Sequence, residues 1–116
     1  MRRGSSGREN NNYKILNPPY NGITEAAEQD LVDIWSFIAQ DNPEAATRFI
    51  RQIEDRFRPL LSHPEIGPGR EHLGEGLRVH FHRDYALYYR FTESEIIIVR
   101  VVHGARDARA LMFDED

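Results

Sequence analysis

The sequence contains no cysteine. Disulfides and thiolate metal sites are therefore excluded, and the chain suits a reducing compartment. Lysine is nearly missing as well, since basic charge rests on 14 arginines and a single lysine. No apolar run approaches the ~20 residues needed to span a bilayer. The first residues lack the basic-then-apolar order of a secretory signal, so the expected location is the cytoplasm, with no membrane partner. An excess of positive charge is also lacking. The formal net charge is −4, which argues against nucleic-acid binding by bulk charge.

What is present suffices for one domain: 116 residues, of which 40% are hydrophobic. Charge is unevenly spread. Thr24–Glu65 holds 4 Arg and 9 Asp/Glu, whereas Ile66–Phe113 holds 7 Arg and 6 Asp/Glu. Residues 1–12 (MRRGSSGRENNN) have no large apolar residue after Met1 and read as a flexible tail, leaving a single domain over 13–113.

A first short strand is expected at Tyr13–Leu16 or, past the Asn17-Pro18-Pro19 interruption, at Tyr20–Ile23. Thr24 is a helix N-cap candidate, with Glu25 and Glu28 near the positive end of the helix dipole. Ala27, Leu31, Ile34 and Ile38 then recur at helical spacing. Asp41-Asn42-Pro43 ends that helix and starts a second one, expected to run to about Ser62. Its stripe is Ala46, Phe49, Ile50, Ile53, Phe57, Leu60 and Leu61. The turn-rich His63–Gly69 (HPEIGPG) follows. Three strand-like runs close the chain at Leu77–His82, Tyr85–Phe91 and Glu95–Val102, with breaks short enough for hairpins. The expected fold is α+β: a helical hairpin on an antiparallel meander.

Alternation along the strands sets Leu77, Val79 and Phe81 opposite Arg78, His80 and His82. If all the apolar faces coincide on the helices, Arg78 pairs with Arg90, His80 with Tyr88, Arg90 with Ile98 and Tyr88 with Arg100. Three arginines then share the outer face, an arrangement suited to an anionic partner. The plain alternative is that they reach to Glu71, Asp84 or Glu93 at the sheet edges. His80 and His82 form a possible metal pair, but no third ligand is implied, and a solvated edge is the expected reading. The Gly67-Pro68-Gly69 turn is too short to cradle a phosphate. Trp35 and Phe37 cannot both face the core stripe, so at least one is expected near the helix surface as an interface aromatic.

Asp30–Ile53 (DLVDIWSFIAQDNPEAATRFIRQI) resembles the helical hairpin of the ParE/RelE toxin superfamily of toxin–antitoxin systems. Leu60–Phe81, with its L…HPE.G…R…GLR layout, and the ending Val99–Asp107 (VRVVHGARD) resemble it too. The match covers about Thr24–Asp107. The resemblance implies a β-α-α-β-β-β fold and a type II toxin neutralised by a cognate antitoxin, with no cofactor. Many such sequences carry the label plasmid stabilisation protein. ParE-type members poison DNA gyrase, and RelE-type members cleave messenger RNA on the ribosome.

The two activities make different demands. A metal-free ribonuclease must activate a 2′-hydroxyl, stabilise a pentavalent phosphate and protonate the leaving oxygen. Arg78, Arg90 and Arg100 are the candidates for the phosphate, and His80 or His103 for proton transfer. The C-terminal Ala-Leu-Met-Phe lacks the tyrosine usual in such nucleases. A gyrase poison needs only a binding surface, for which the resemblance points to His103, Arg106, Arg109 and the apolar Leu111, Met112 and Phe113. Trp35 and Phe37 are the candidates for antitoxin contact. A toxin fold serving as an inactive binding module is the third class.

Overall fold

Residues 22–104 are described in the computed structural model, beginning with a two-residue strand, β1 (Gly22–Ile23). Thr24 turns the chain from this strand into a helix. Its Oγ accepts the Ala27 N–H at 3.0 Å and donates to the Val99 carbonyl at 2.8 Å. One hydroxyl therefore caps the helix and fastens its start to the sheet. Helix α1 (Glu25–Ala39) carries Glu25 and Glu28 in its first turn and buries Ala27, Leu31 and Ile34. Asn42 caps helix α2 (Pro43–Asp55) by accepting the Ala45 N–H at 3.0 Å, with Pro43 in the first turn. Helix α2 buries Ala46, Ile50 and Ile53.

The second helix stops earlier than its stripe implies. A separate short helix, α3 (Arg58–Ser62), follows a break at Arg56–Phe57. Pro59 explains the break: it has no N–H to give the Asp55 carbonyl, its ring crowds that carbonyl, and it sits instead in the first turn of the new helix. The backbone tightens ahead of it, as Arg56 N–H reaches Ile53 O at 3.0 Å and Phe57 N–H reaches Glu54 O at 3.1 Å. Phe57 and Leu60 remain in the core, but Leu61 is rotated out and 53% exposed.

Strands β2 (Arg78–His82), β3 (Tyr85–Phe91) and β4 (Ile96–His103) form the meander. The sheet order is β1-β4-β3-β2. Strand β1 runs parallel to β4, with Gly22 opposite Ile97, so the sheet is mixed. It falls inside Tyr20–Ile23; the alternative at Tyr13–Leu16 lies outside the described residues.

The first hairpin has a register different from the expected one. His82 pairs with Tyr85 across the two-residue Arg83-Asp84 turn, so Arg78 faces Tyr89, Val79 faces Tyr88 and His80 faces Leu87. Arg83 makes this tight turn with a φ of 54°. A two-residue turn leaves its flanking side chains on one face. The Arg78-His80-His82 set therefore shares the helix-covered face with Leu87 and Tyr89. Leu77 and Val79 instead join Ala86, Tyr88, Val99, Val102 and Leu73 in a second apolar cluster on the other face. Phe81 ends 49% exposed rather than in the core. The expectation failed because it assumed one apolar face, whereas the sheet buries both.

In the second hairpin Tyr88 pairs with Arg100 as expected. A bulge beside Tyr88/Tyr89 then shifts Arg90 onto Ile97 instead of Ile98. It keeps Ile96, Ile98 and Val101 against the helices and turns Val99 and Val102 to the opposite cluster.

Candidate functional site

The end of β4 meets the flank of α1 at Asp30. This carboxylate accepts Arg100 Nε at 2.8 Å and Nη2 at 2.9 Å, and the Val101 N–H at 2.9 Å. The two side chains are only 12% and 14% exposed. Strand β1 pairs with Ile97 and Ile98 alone, and beyond it Asp30 satisfies the backbone that a longer strand would have met.

Above this clamp a groove of about 280 Å³ runs between α1 and β4. Phe37, Ile34 and Asp33 line the helix side, and Val101, Val102, His103 and Tyr85 line the sheet side. Phe37 is 73% exposed, the most solvated large apolar side chain among the described residues. Asp33 accepts a hydrogen bond from Gln29 at 2.8 Å on the solvent side. His103 meets Tyr85 edge-on, with ring centroids 5.3 Å apart. Phe49 backs Tyr85 at 5.7 Å and also touches His82 at 5.5 Å. The sheet-side ring at the groove is thus held by packing from α2, while Phe37 projects freely. A groove that sets Phe37, Ile34 and the valines beside the polar Asp33 and His103 suits the binding of another chain.

The three arginines are not a cluster. Arg78 points to the helix face, where Nη1 donates to Gly67 O at 2.7 Å and Glu65 O at 3.2 Å. Its guanidinium stacks over Phe91 at 5.6 Å. Arg90, of the opposite parity, donates from Nε to Glu75 O at 2.8 Å. Arg100 belongs to the Asp30 clamp. None of the three reaches Glu71, Asp84 or Glu93 as the sheet-edge alternative held. Two bind loop carbonyls and one binds a helix carboxylate.

The HPE.G…R pattern is a scaffold. Tyr89 Oη accepts the Gly67 N–H at 3.0 Å and donates to Pro64 O at 2.7 Å. A Cβ on Gly67 would lie 2.3 Å from Val79 O, so only glycine fits there. Arg78 completes the lock by binding the carbonyls of the same turn. Burial raises the Tyr89 phenol pKa, against smaller opposing effects of the Gly67 hydrogen bond and Arg78. Tyr89 is thus a neutral structural group.

His80 and His82 face the helices beside Arg56, which donates to Phe81 O at 3.0 Å. Among the described residues their buried Nε2 atoms have no hydrogen-bond partner. Burial lowers both pKa values, with further lowering of His80 by Arg56 and of His82 by Arg83 and Arg56. Among the described residues, no group of three or more His, Asp or Glu could hold a metal ion. No helix there is long and apolar enough to cross a membrane.

The groove therefore joins Phe37, Arg100 and His103, leaving Arg78 and Arg90 elsewhere. Trp35 lies on another side of α1, donating from Nε1 to Thr47 at 3.1 Å. Arg106, Arg109 and Phe113 lie outside the described residues. Sequence reasoning missed Asp30, Asp33 and Tyr85. The missing signal was proximity, because Asp30 and Arg100 are 70 residues apart in the chain.

The model of the ParE toxin of type II toxin-antitoxin system, parDE, matches residues 23–108. This chain belongs to the ParE toxin family. It is a type II toxin, and such a system implies an antitoxin partner. A solved structure described as "Chromosomal ParDE TA system from P. aeruginosa" has a similar fold, with a TM-score of 0.58 and 24% identity over 73% of this chain and 97% of that one. No curated protein sequence matches. The ParE-family fold is thus the one seen, with its helical hairpin set on a four-stranded sheet.

Proposed function

We propose that this ParE-family toxin poisons DNA gyrase in the cytoplasm and is neutralised by a cognate antitoxin seated in the α1–β4 groove. The observation that carries this reading is that Phe37 and His103 line the same groove. His103 opens the C-terminal sequence to which the family resemblance assigns target binding, continuing through Arg106, Arg109 and Phe113. An antitoxin that buries Phe37 therefore covers the start of the effector segment. Neutralisation is then direct occlusion and needs no conformational switch.

Ribonuclease chemistry is the weaker reading. It requires cationic groups converging on one phosphate, with a proton donor and acceptor within hydrogen-bond reach. Here Arg78, Arg90 and Arg100 bind three different parts of the scaffold. His80 faces the helices rather than an open surface.

The test is a purified supercoiling reaction. The toxin should trap cleaved DNA–gyrase complexes, and His103→Ala should reduce trapping about tenfold or more, a loss of about 1.4 kcal/mol of binding. Absence of cleaved complexes together with ribosome-dependent message cutting would replace gyrase with the ribosome. Absence of both would leave a toxin-fold binding module.

A further inference from the structure

We propose that the helical hairpin carries a second docking pocket, framed by Trp35, Arg48 and Arg51, that receives an acidic segment of a partner protein bearing an apolar anchor side chain. The pocket encloses about 390 Å³ between α1 and the first turns of α2; Pro43, Thr47 and Glu44 complete its lining, in which two arginines outnumber one carboxylate. It does not share a residue with the Phe37–His103 groove, and it does not depend on gyrase being the target.

Three observations give the occupant its chemistry. The Trp35 indole N–H is already bonded to Thr47. The ring therefore offers the pocket an apolar surface and makes no demand for a polar partner there. Arg48 and Arg51 stand one turn apart on the same helix face, both exposed. Among the described residues neither guanidinium has a hydrogen-bond or ion-pair partner, whereas Arg56, Arg58, Arg78, Arg90 and Arg100 all do. Like charges at this spacing repel, and a bound carboxylate would relieve the repulsion.

The pocket also contrasts with its surroundings. Helix α1 has four acidic residues and no basic one, and the whole chain is at −4. An extended polyanion such as a nucleic acid would meet that acidic helix next to the two arginines. A peptide places a few carboxylates locally and can leave the rest of the face alone. Tryptophan and arginine together are the residue types that most often anchor protein interfaces.

Trp35 is the sole tryptophan, so its emission reports on this pocket directly. The probe is the peptide acetyl-EDLLEE-amide, titrated at low ionic strength. Trp35 emission and the Arg48 and Arg51 amide resonances should move together. Affinity should fall about tenfold in the exposed double variant Arg48→Glu/Arg51→Glu and with salt near 0.1 M, where the screening length is ~10 Å. Arg58→Glu, a reversal of the same kind outside the pocket, should leave affinity within about twofold. The proposal is overturned if emission and resonances both stay still at millimolar peptide. It is equally overturned if the double variant binds as wild type, or if acetyl-KKLLKK-amide or a thymidine oligonucleotide binds as well. A concentration-dependent emission change without peptide, tracking dimer formation by sedimentation, would assign the pocket to a second copy and also overturn it.

Discussion

Replacing Asp30 with alanine should cost about 3 kcal/mol of stability, a large effect for one residue on the flank of a helix. The carboxylate serves three donors: Arg100 Nε, Arg100 Nη2 and the Val101 N–H, at 2.8, 2.9 and 2.9 Å. Breaking a buried ion pair by removing one partner costs about 3–5 kcal/mol, because the remaining charge stays desolvated. Side-chain exposures of 12% and 14% admit some water, which places the loss at the low end of that range. A domain of this size has ~5–15 kcal/mol of stability in all. With a urea slope of about 1.5 kcal/mol/M, the midpoint should drop by about 2 M. The double variant Asp30→Ala/Arg100→Met should recover at least about 1 kcal/mol, since most of the penalty is the stranded charge and not the lost bonds. A loss below about 1 kcal/mol for Asp30→Ala, or no recovery in the double variant, would show that the clamp is solvated and that Arg100 is available for other work.

Other perturbations follow from the same contacts. Tyr89→Phe removes both bonds to the 64–67 turn and leaves Gly67 N–H and Pro64 C=O unmet; chemical denaturation should register a loss of about 1–3 kcal/mol, and no loss would mean the turn holds without Tyr89. Arg83→Gly relieves a positive φ of 54° and should raise the thermal midpoint, with about 1 kcal/mol of gain; an unchanged or lower midpoint would count against strain at that turn. Because His80 and His82 have lowered pKa values in the folded state, the unfolded chain takes up protons first. Stability should therefore be level above pH ~7 and decline as pH falls below ~6.5, the unfolded histidine value. A His80→Gln/His82→Gln variant should flatten the urea midpoint between pH 7.5 and 5.5, and an undiminished slope would place the titrating groups elsewhere.

Much of the fold was legible because local chemistry fixed it. The Ala27-Leu31-Ile34 spacing, the Thr24 and Asn42 caps and the alternation in Tyr85–Phe91 all act within a few residues. The errors arose where a global choice overrode local pattern. Alternation placed Leu77 and Val79 on one face correctly but could not say which face the helices cover. The two-residue Arg83-Asp84 turn decided that question and sent them to the opposite cluster. The break at Pro59 was written in the sequence, yet a continuous apolar stripe through Leu61 masked it. For the groove, Phe37 could be singled out because it falls off the helical stripe. Asp30 could not, because its importance depends on a partner 70 residues away. The arginines suffered most: similar strand parity suggested a shared face, and the changed register and the bulge dispersed them.

The occlusion reading is tested most directly by plating cells that express the chain with Phe37→Glu, alone and together with its cognate antitoxin. Phe37 is 73% exposed, so the substitution leaves the core intact. Wild-type toxin should stop growth alone and be rescued by the antitoxin. The variant should stop growth as well as wild type does, but rescue should fail, because a carboxylate now stands where the antitoxin must pack. Full rescue of a toxic Phe37→Glu variant would place the antitoxin elsewhere and contradict occlusion at the α1–β4 groove.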